Sequence, residues 1–100
     1  MRFHDVEIPD EKLEAFCRRH GVKRLALFGS ILRDDFAPDS DVDILVEFLP
    51  GMRYSLLDLG GMWAELREMI GREIDLKTPL DLSRYFRDEV VAHARPLYAA

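Results

Sequence analysis

The chain has one cysteine, Cys17, in 100 residues. A lone thiol cannot form an intramolecular disulfide, so no cross-linked framework holds the fold, and a reducing cytoplasm suits it. No apolar run approaches the ~20 residues that cross a bilayer, and Met1-Arg2-Phe3-His4-Asp5 opens no signal-peptide core. The expectation is a cytoplasmic protein with no membrane partner. Positive charge is also in short supply: 14 Lys and Arg stand against 19 Asp and Glu, a formal charge of -5. Proteins held to nucleic acid through its phosphates need a basic surface, so direct nucleic-acid binding is not expected. The histidines His4, His20 and His93 lack zinc-type spacing. There is no Walker A loop and no dinucleotide glycine fingerprint.

What is present describes an ordinary globular domain: 48% hydrophobic and 33% charged residues. The length suits one core, so residues 1–100 are read as a single domain. No repeat, low-complexity segment or linker interrupts it. The acidic residues are unevenly spread: Asp34, Asp35, Asp39, Asp41 and Asp43 fall within ten positions. Such a cluster repels itself unless a cation or a basic partner offsets it.

Residues 9 to 20 read as a helix, with Pro9 suited to its first turn, Asp10 and Glu11 near the start, and Gly21 past the end. Cys17 falls on its apolar face with Leu13 and Phe16 and is assigned to the core. A strand over Val22 to Phe28 leads into Gly29-Ser30 and a short helix over Ile31 to Asp35. A second strand runs from Asp41 to Phe48, and Ile44-Leu45-Val46 predicts burial on both faces. Ser55 and Asp58 form a variant capping box. Leu56, Leu59, Trp63, Leu66 and Ile70 then mark one helix face up to Gly71, which makes Trp63 a core residue. Arg72 to Lys77 reads as a third strand, and Asp81 to Ala94 as a last helix stopped by Pro96. The order predicts an α/β (α+β) fold with a small mixed sheet flanked by helices.

The chemistry is concentrated in the stretch from Phe28 to Val46. A Gly-Ser turn leaving a strand presents backbone N–H groups and a hydroxyl that suit phosphate oxygens. Asp41 and Asp43, two residues apart, point to one face of a strand. A solvated acidic strand start is the plainer reading of this pair. Against it, Asp43 is followed at once by an apolar run, and two like charges at a core boundary call for compensation. Mg²⁺ supplies it, being held by one or two carboxylates plus substrate phosphates. An EF-hand reading fails, because Ile44 and Pro50 stand where glycine and glutamate are required. Asp75, inside the third strand, adds a carboxylate that can ligate metal or accept a proton, although Glu73 and Lys77 share its face. Arg33, one turn after Ser30, can contact phosphate or pair with neighbouring acids.

Taken together, these segments resemble the nucleotidyltransferase signature of the DNA polymerase beta-like superfamily: Gly29-Ser30 after a strand, then Asp41-Val42-Asp43 leading an apolar strand. Residues 23–30, 40–46 and Gly71-Arg72-Glu73-Ile74-Asp75-Leu76 resemble the minimal nucleotidyltransferase (MNT) family most closely. The resemblance implies that Gly29 and Ser30 hold the triphosphate; Arg33 stands beside them as a candidate nucleotide contact on its spacing from Ser30. It implies that Asp41, Asp43 and Asp75 hold Mg²⁺, with Asp75 also a candidate base. It further implies ATP as donor and AMP transfer to a hydroxyl, a tyrosine of a partner HEPN-domain RNase toxin, which neutralises that toxin within a hetero-oligomer. Leu32, Asp34 and Asp35 depart from the small residue, glycine and glutamate common in the family at these positions. Two other readings stand beside this one. The chain is then an antitoxin that masks its partner without chemistry, or a free-standing enzyme acting on a small molecule such as an aminoglycoside.

Overall fold

A computed structural model describes residues 1–100. The chain runs β1 (Arg2–Phe3), β2 (Val6–Glu7), α1 (Asp10–Arg19), β3 (Val22–Phe28), β4 (Val42–Phe48), α2 (Leu56–Ile70), β5 (Ile74–Lys77), α3 (Arg87–His93) and β6 (Arg95–Ala99). Two 3₁₀ turns, Gly29–Leu32 and Pro79–Asp81, follow β3 and β5. The main sheet has the order β5-β4-β3-β6. β3 pairs antiparallel with β4 and β6, while β4 and β5 run parallel, so the sheet is mixed as expected.

Side-chain alternation sorts the central strands onto two faces. Val42, Ile44 and Val46 join Leu25 and Leu27 in a 16-residue core with Leu13, Phe16 and Cys17 of α1 and Met62, Leu66 and Ile70 of α2. On the other face, Ala26 and Leu45 meet only Leu82 and Ala94, with Phe28, Val90 and Val91 alongside. Burial on both faces of β4 therefore follows the sequence reading, with one face thick and the other thin. Arg24 ties α3 to the thin face: it pairs with Glu47 at 3.2 Å and donates to the carbonyls of Val91 and Ala94.

α2 forms where its cap predicts. Ser55 Oγ accepts from the Asp58 N–H at 3.1 Å, and Asp58 Oδ2 accepts from the Ser55 N–H at 2.8 Å. Leu56 is not on the core face; it is 87% exposed in the first turn, beside the solvent-facing cap. Gly60 and Gly61 sit inside the helix with open space where a side chain would point, so close packing does not explain them. Trp63 packs against the core as expected, and its indole N–H donates to the Ile74 carbonyl at 2.8 Å.

Three other elements depart from expectation. The short helix is a 3₁₀ turn over Gly29–Leu32 rather than Ile31 to Asp35. The last helix is only Arg87–His93, because Thr78 and Asp81 close a separate turn at 2.9 and 3.0 Å. Arg87 fastens that turn by donating to the Pro79 and Leu82 carbonyls at 2.7 and 3.0 Å. Pro96 ends the helix but lies within β6, an edge strand where a missing N–H is tolerated.

Candidate active site

The site is built at one end of the thin face, where β3 ends and β4 and β5 begin. Asp43 is in register with Phe28 of β3 on one side and with Asp75 of β5 on the other. Asp43 and Leu45 share a face, and so do Asp75 and Lys77 opposite them. Asp41 directly precedes β4 and is exposed. The structure thus brings Asp41, Asp43 and Asp75 together, and adds Lys77, whose Nζ lies 3.5 Å from Asp75 Oδ1. The shared face of Lys77 and Asp75 is visible as i, i+2 spacing in the sequence.

The crowding of carboxylates shows in the acidity of Asp43. Its carboxyl is pushed from 3.8 up to about 6, first by partial burial, then by the negative charges of Asp75 and Asp41. Lys77 and the Ser30 backbone amide pull in the opposite direction without cancelling the rise. An excess of negative charge therefore sits against the turn that follows β3.

Gly29 is fitted to that turn for two reasons. Its φ is +76°, a region that L side chains rarely adopt, and a Cβ there would overlap Asp43 Oδ2 and lie 3.0 Å from its Cγ. The backbone can approach the carboxylate only because this residue has no side chain. Ser30 follows in the same turn, and its carbonyl accepts from the Arg33 N–H at 2.9 Å. The Arg33 side chain is exposed and pairs with Asp35 at 3.2 Å, the neighbouring-acid option of the sequence reading. Gly29 and Arg33 also border a cleft of about 430 Å³ that reaches Phe86 and Val90 of the α3 region.

The donor set fits a hard divalent cation. It consists of carboxylate oxygens whose mutual repulsion is only partly offset by Lys77. No three His, Cys, Asp or Glu side chains close into a cage by themselves. Mg²⁺ is held by one or two carboxylates, with its other positions left to water and phosphate.

The sequence reading did not single out a second group. Arg72 donates to the carbonyls of Ala37, Pro38 and Ser40 at 3.2, 3.1 and 3.1 Å, and pairs with Asp5 at 3.0 Å. His4 Nε2 donates to the Ile31 carbonyl at 2.9 Å. All of these bonds but the one to Asp5 end on backbone oxygens, which carry no residue-type signal.

A turn whose Ser30 backbone amide meets the Asp43 carboxylate, with Asp75 in register beside it, is an arrangement that can bind phosphate groups together with a divalent cation. A family model described as the nucleotidyltransferase domain matches residues 10–97. The chain belongs to this nucleotidyltransferase family. It is 42% identical over 76 residues to a candidate protein adenylyltransferase of Methanocaldococcus jannaschii, covering 76% of this chain and 80% of that one. It is 40% identical over 60 residues to protein adenylyltransferase MntA of Thermococcus cleftensis, covering 58% and 57%. A solved structure described as a candidate minimal nucleotidyltransferase superposes with a TM-score of 0.72 at 33% identity, over 87% of each chain. The fold also matches a chain of a tri-AMPylated Shewanella oneidensis HEPN toxin in complex with MNT antitoxin. There the TM-score is 0.63 at 19% identity, over 91% of this chain and 70% of that one.

Proposed function

We propose that this chain is a Mg²⁺-dependent protein adenylyltransferase that moves AMP from ATP to a hydroxyl, a tyrosine, of a partner HEPN RNase toxin and so neutralises it. The observation that carries this reading is the register of Asp43 with Asp75 on parallel strands, beside a glycine turn that only glycine can form against Asp43. The adenylyltransferase names of the relatives and the AMPylated HEPN toxin seen with an MNT antitoxin support it.

In this reading the Gly29–Leu32 turn and Arg33 hold the triphosphate, and Asp41, Asp43 and Asp75 form the Mg²⁺ site. Mg²⁺, when bound, supplies positive charge against the phosphate oxygens. Asp75 takes the proton from the acceptor hydroxyl. The hydroxyl oxygen bonds to the α-phosphorus as the bond from that phosphorus to the β-phosphate oxygen breaks, and pyrophosphate leaves. The acceptor hydroxyl is supplied by the partner within a hetero-oligomer. Residues 1–100 act as a single catalytic domain in the cytoplasm; no helix is long and apolar enough to cross a membrane.

The test is the intact mass of the HEPN protein after incubation with this chain, ATP and Mg²⁺. A gain of one or more AMP units, lost with Asp43→Ala, is expected. A second reading, masking without chemistry, draws on the exposed Leu56, Leu57 and Leu80, each more than three-quarters exposed. An unchanged mass in a tight, inactive complex would select it.

A further inference from the structure

Behind the carboxylates, side chains far apart in sequence form one continuous contact. The Arg72 side chain is only 16% exposed. Its Nη2 is shared among the carbonyls of Ala37, Pro38 and Ser40, and its Nη1 reaches Asp5 in the turn between β1 and β2. The guanidinium lies over the Phe36 ring at 4.9 Å, and Phe36 in turn stacks with His4 at 4.9 Å and 26°. His4, held at a φ of 56°, donates from Nε2 to Ile31, since a carbonyl can only accept. The contact therefore begins in the turn containing Gly29 and Ser30. It continues through the loop that ends at Asp41, and finishes three residues before Asp75. Where Arg72 leaves off, the Val42 N–H takes over, donating to the Glu73 carbonyl at 2.8 Å.

We infer that Arg72 is a positioning residue. Through the loop carbonyls and the Phe36–His4 stack, it fixes the Gly29–Leu32 turn, Asp41 and Asp75 in one mutual geometry. A guanidinium suits this task because its planar fork serves several acceptors while its face lies on an aromatic ring. A lysine brings the same charge but neither the fork nor the flat face. The first β-hairpin gains a role by the same logic: it supplies both His4 and Asp5.

The effect on transfer rests on the proposed adenylyltransferase reading; the effect on the loop does not. Amide hydrogen exchange on the metal-free protein, wild type against Arg72→Lys, separates the two. Exchange at Arg33 and Ser40, whose N–H groups bond to Ser30 and Ala37, is expected to speed up about tenfold or more, while β3 and β4 keep their protection. Transfer to the HEPN protein is expected to fall about 10- to 100-fold, with a higher Mg²⁺ requirement and little change in Tm. His4→Phe, which keeps a ring against Phe36 but loses the Ile31 bond, is expected to loosen the Gly29–Leu32 turn alone. Unchanged loop exchange in Arg72→Lys would overturn the inference, as would a loss of protection that spreads equally through β3 and β4. If the wild type transfers no AMP, the adenylyltransferase reading fails, and the exchange result still decides the role of Arg72.

Discussion

Two faces of one sheet follow different rules. The face covered by α1 and α2 is an apolar interior in which Leu13, Phe16, Leu25, Ile44 and Leu66 are at most 1% exposed. The opposite face has four buried residues, two of them alanine, and then gives way to Asp43, Asp75 and Lys77. The electrostatic cost of the second face is visible in the raised pKa of Asp43. The even and odd positions of β4 are thus divided: Ile44 and Val46 pack into the large core, and Asp43 lies opposite Asp75 in the proposed site.

The strongest challenge to this division is Phe16→Ala. Emptying that site on the thick face is expected to cost about 3–5 kcal/mol, read as a large drop in Tm or in the denaturation midpoint. A loss below that of any thin-face variant would remove the contrast. Gly29→Ala comes next. Backbone strain at positive φ and overlap with Asp43 are expected to lower stability by about 1–3 kcal/mol. Transfer activity should fall further than the unfolded fraction explains, because the intruding methyl group displaces Asp43.

The smallest effect has the opposite sign. In metal-free protein the Asp43 carboxyl titrates at about 6, above its ordinary 3.8. As pH rises from 4 to 6 the unfolded chain gives up this proton before the folded one does, so folding stability falls over that window and the deficit then persists. Asp43→Asn removes the deficit: above pH 6 it should be more stable than wild type by about 1–2 kcal/mol, after allowance for solvent screening, and the two should converge below pH 4. A variant less stable than wild type at pH 8 would show that Asp43 contributes to the fold after all.

The thick face was legible in the sequence because periodicity encodes it. Leu13, Phe16 and Cys17 recur at helical spacing, and β4 and the Ser55 cap announce themselves over several residues. Cys17 is as inert as that reading implies, its thiol buried and pushed up to about 12. The spacing of Asp41 and Asp43 was equally plain; the structure sets Asp43 in register with Asp75 and leaves Asp41 near enough for its charge to act on Asp43. What escaped were features without a residue-type pattern. β1 and β2 are two residues each, below any periodic signal. Leu82, Phe86 and Val90 have helical spacing, yet the helix starts only at Arg87, which holds Pro79 and Leu82 in a turn. Leu56 kept the helical period but lies in the first turn, out in solvent. Arg72 has no pattern of its own in the sequence, since the acceptors that hold its Nη2 are main-chain oxygens.

The bond from the Trp63 indole to the Ile74 carbonyl has an optical consequence. This is the only tryptophan in the chain, and its partner oxygen belongs to the residue immediately before Asp75. Indole emission responds to hydrogen bonding and to nearby charge, and here the Arg67 guanidinium also lies 5.4 Å from the ring centroid. The protein therefore carries an intrinsic fluorophore joined to the strand of Asp75, so binding of Mg²⁺ or ATP at the proposed site can be tested by emission without any label.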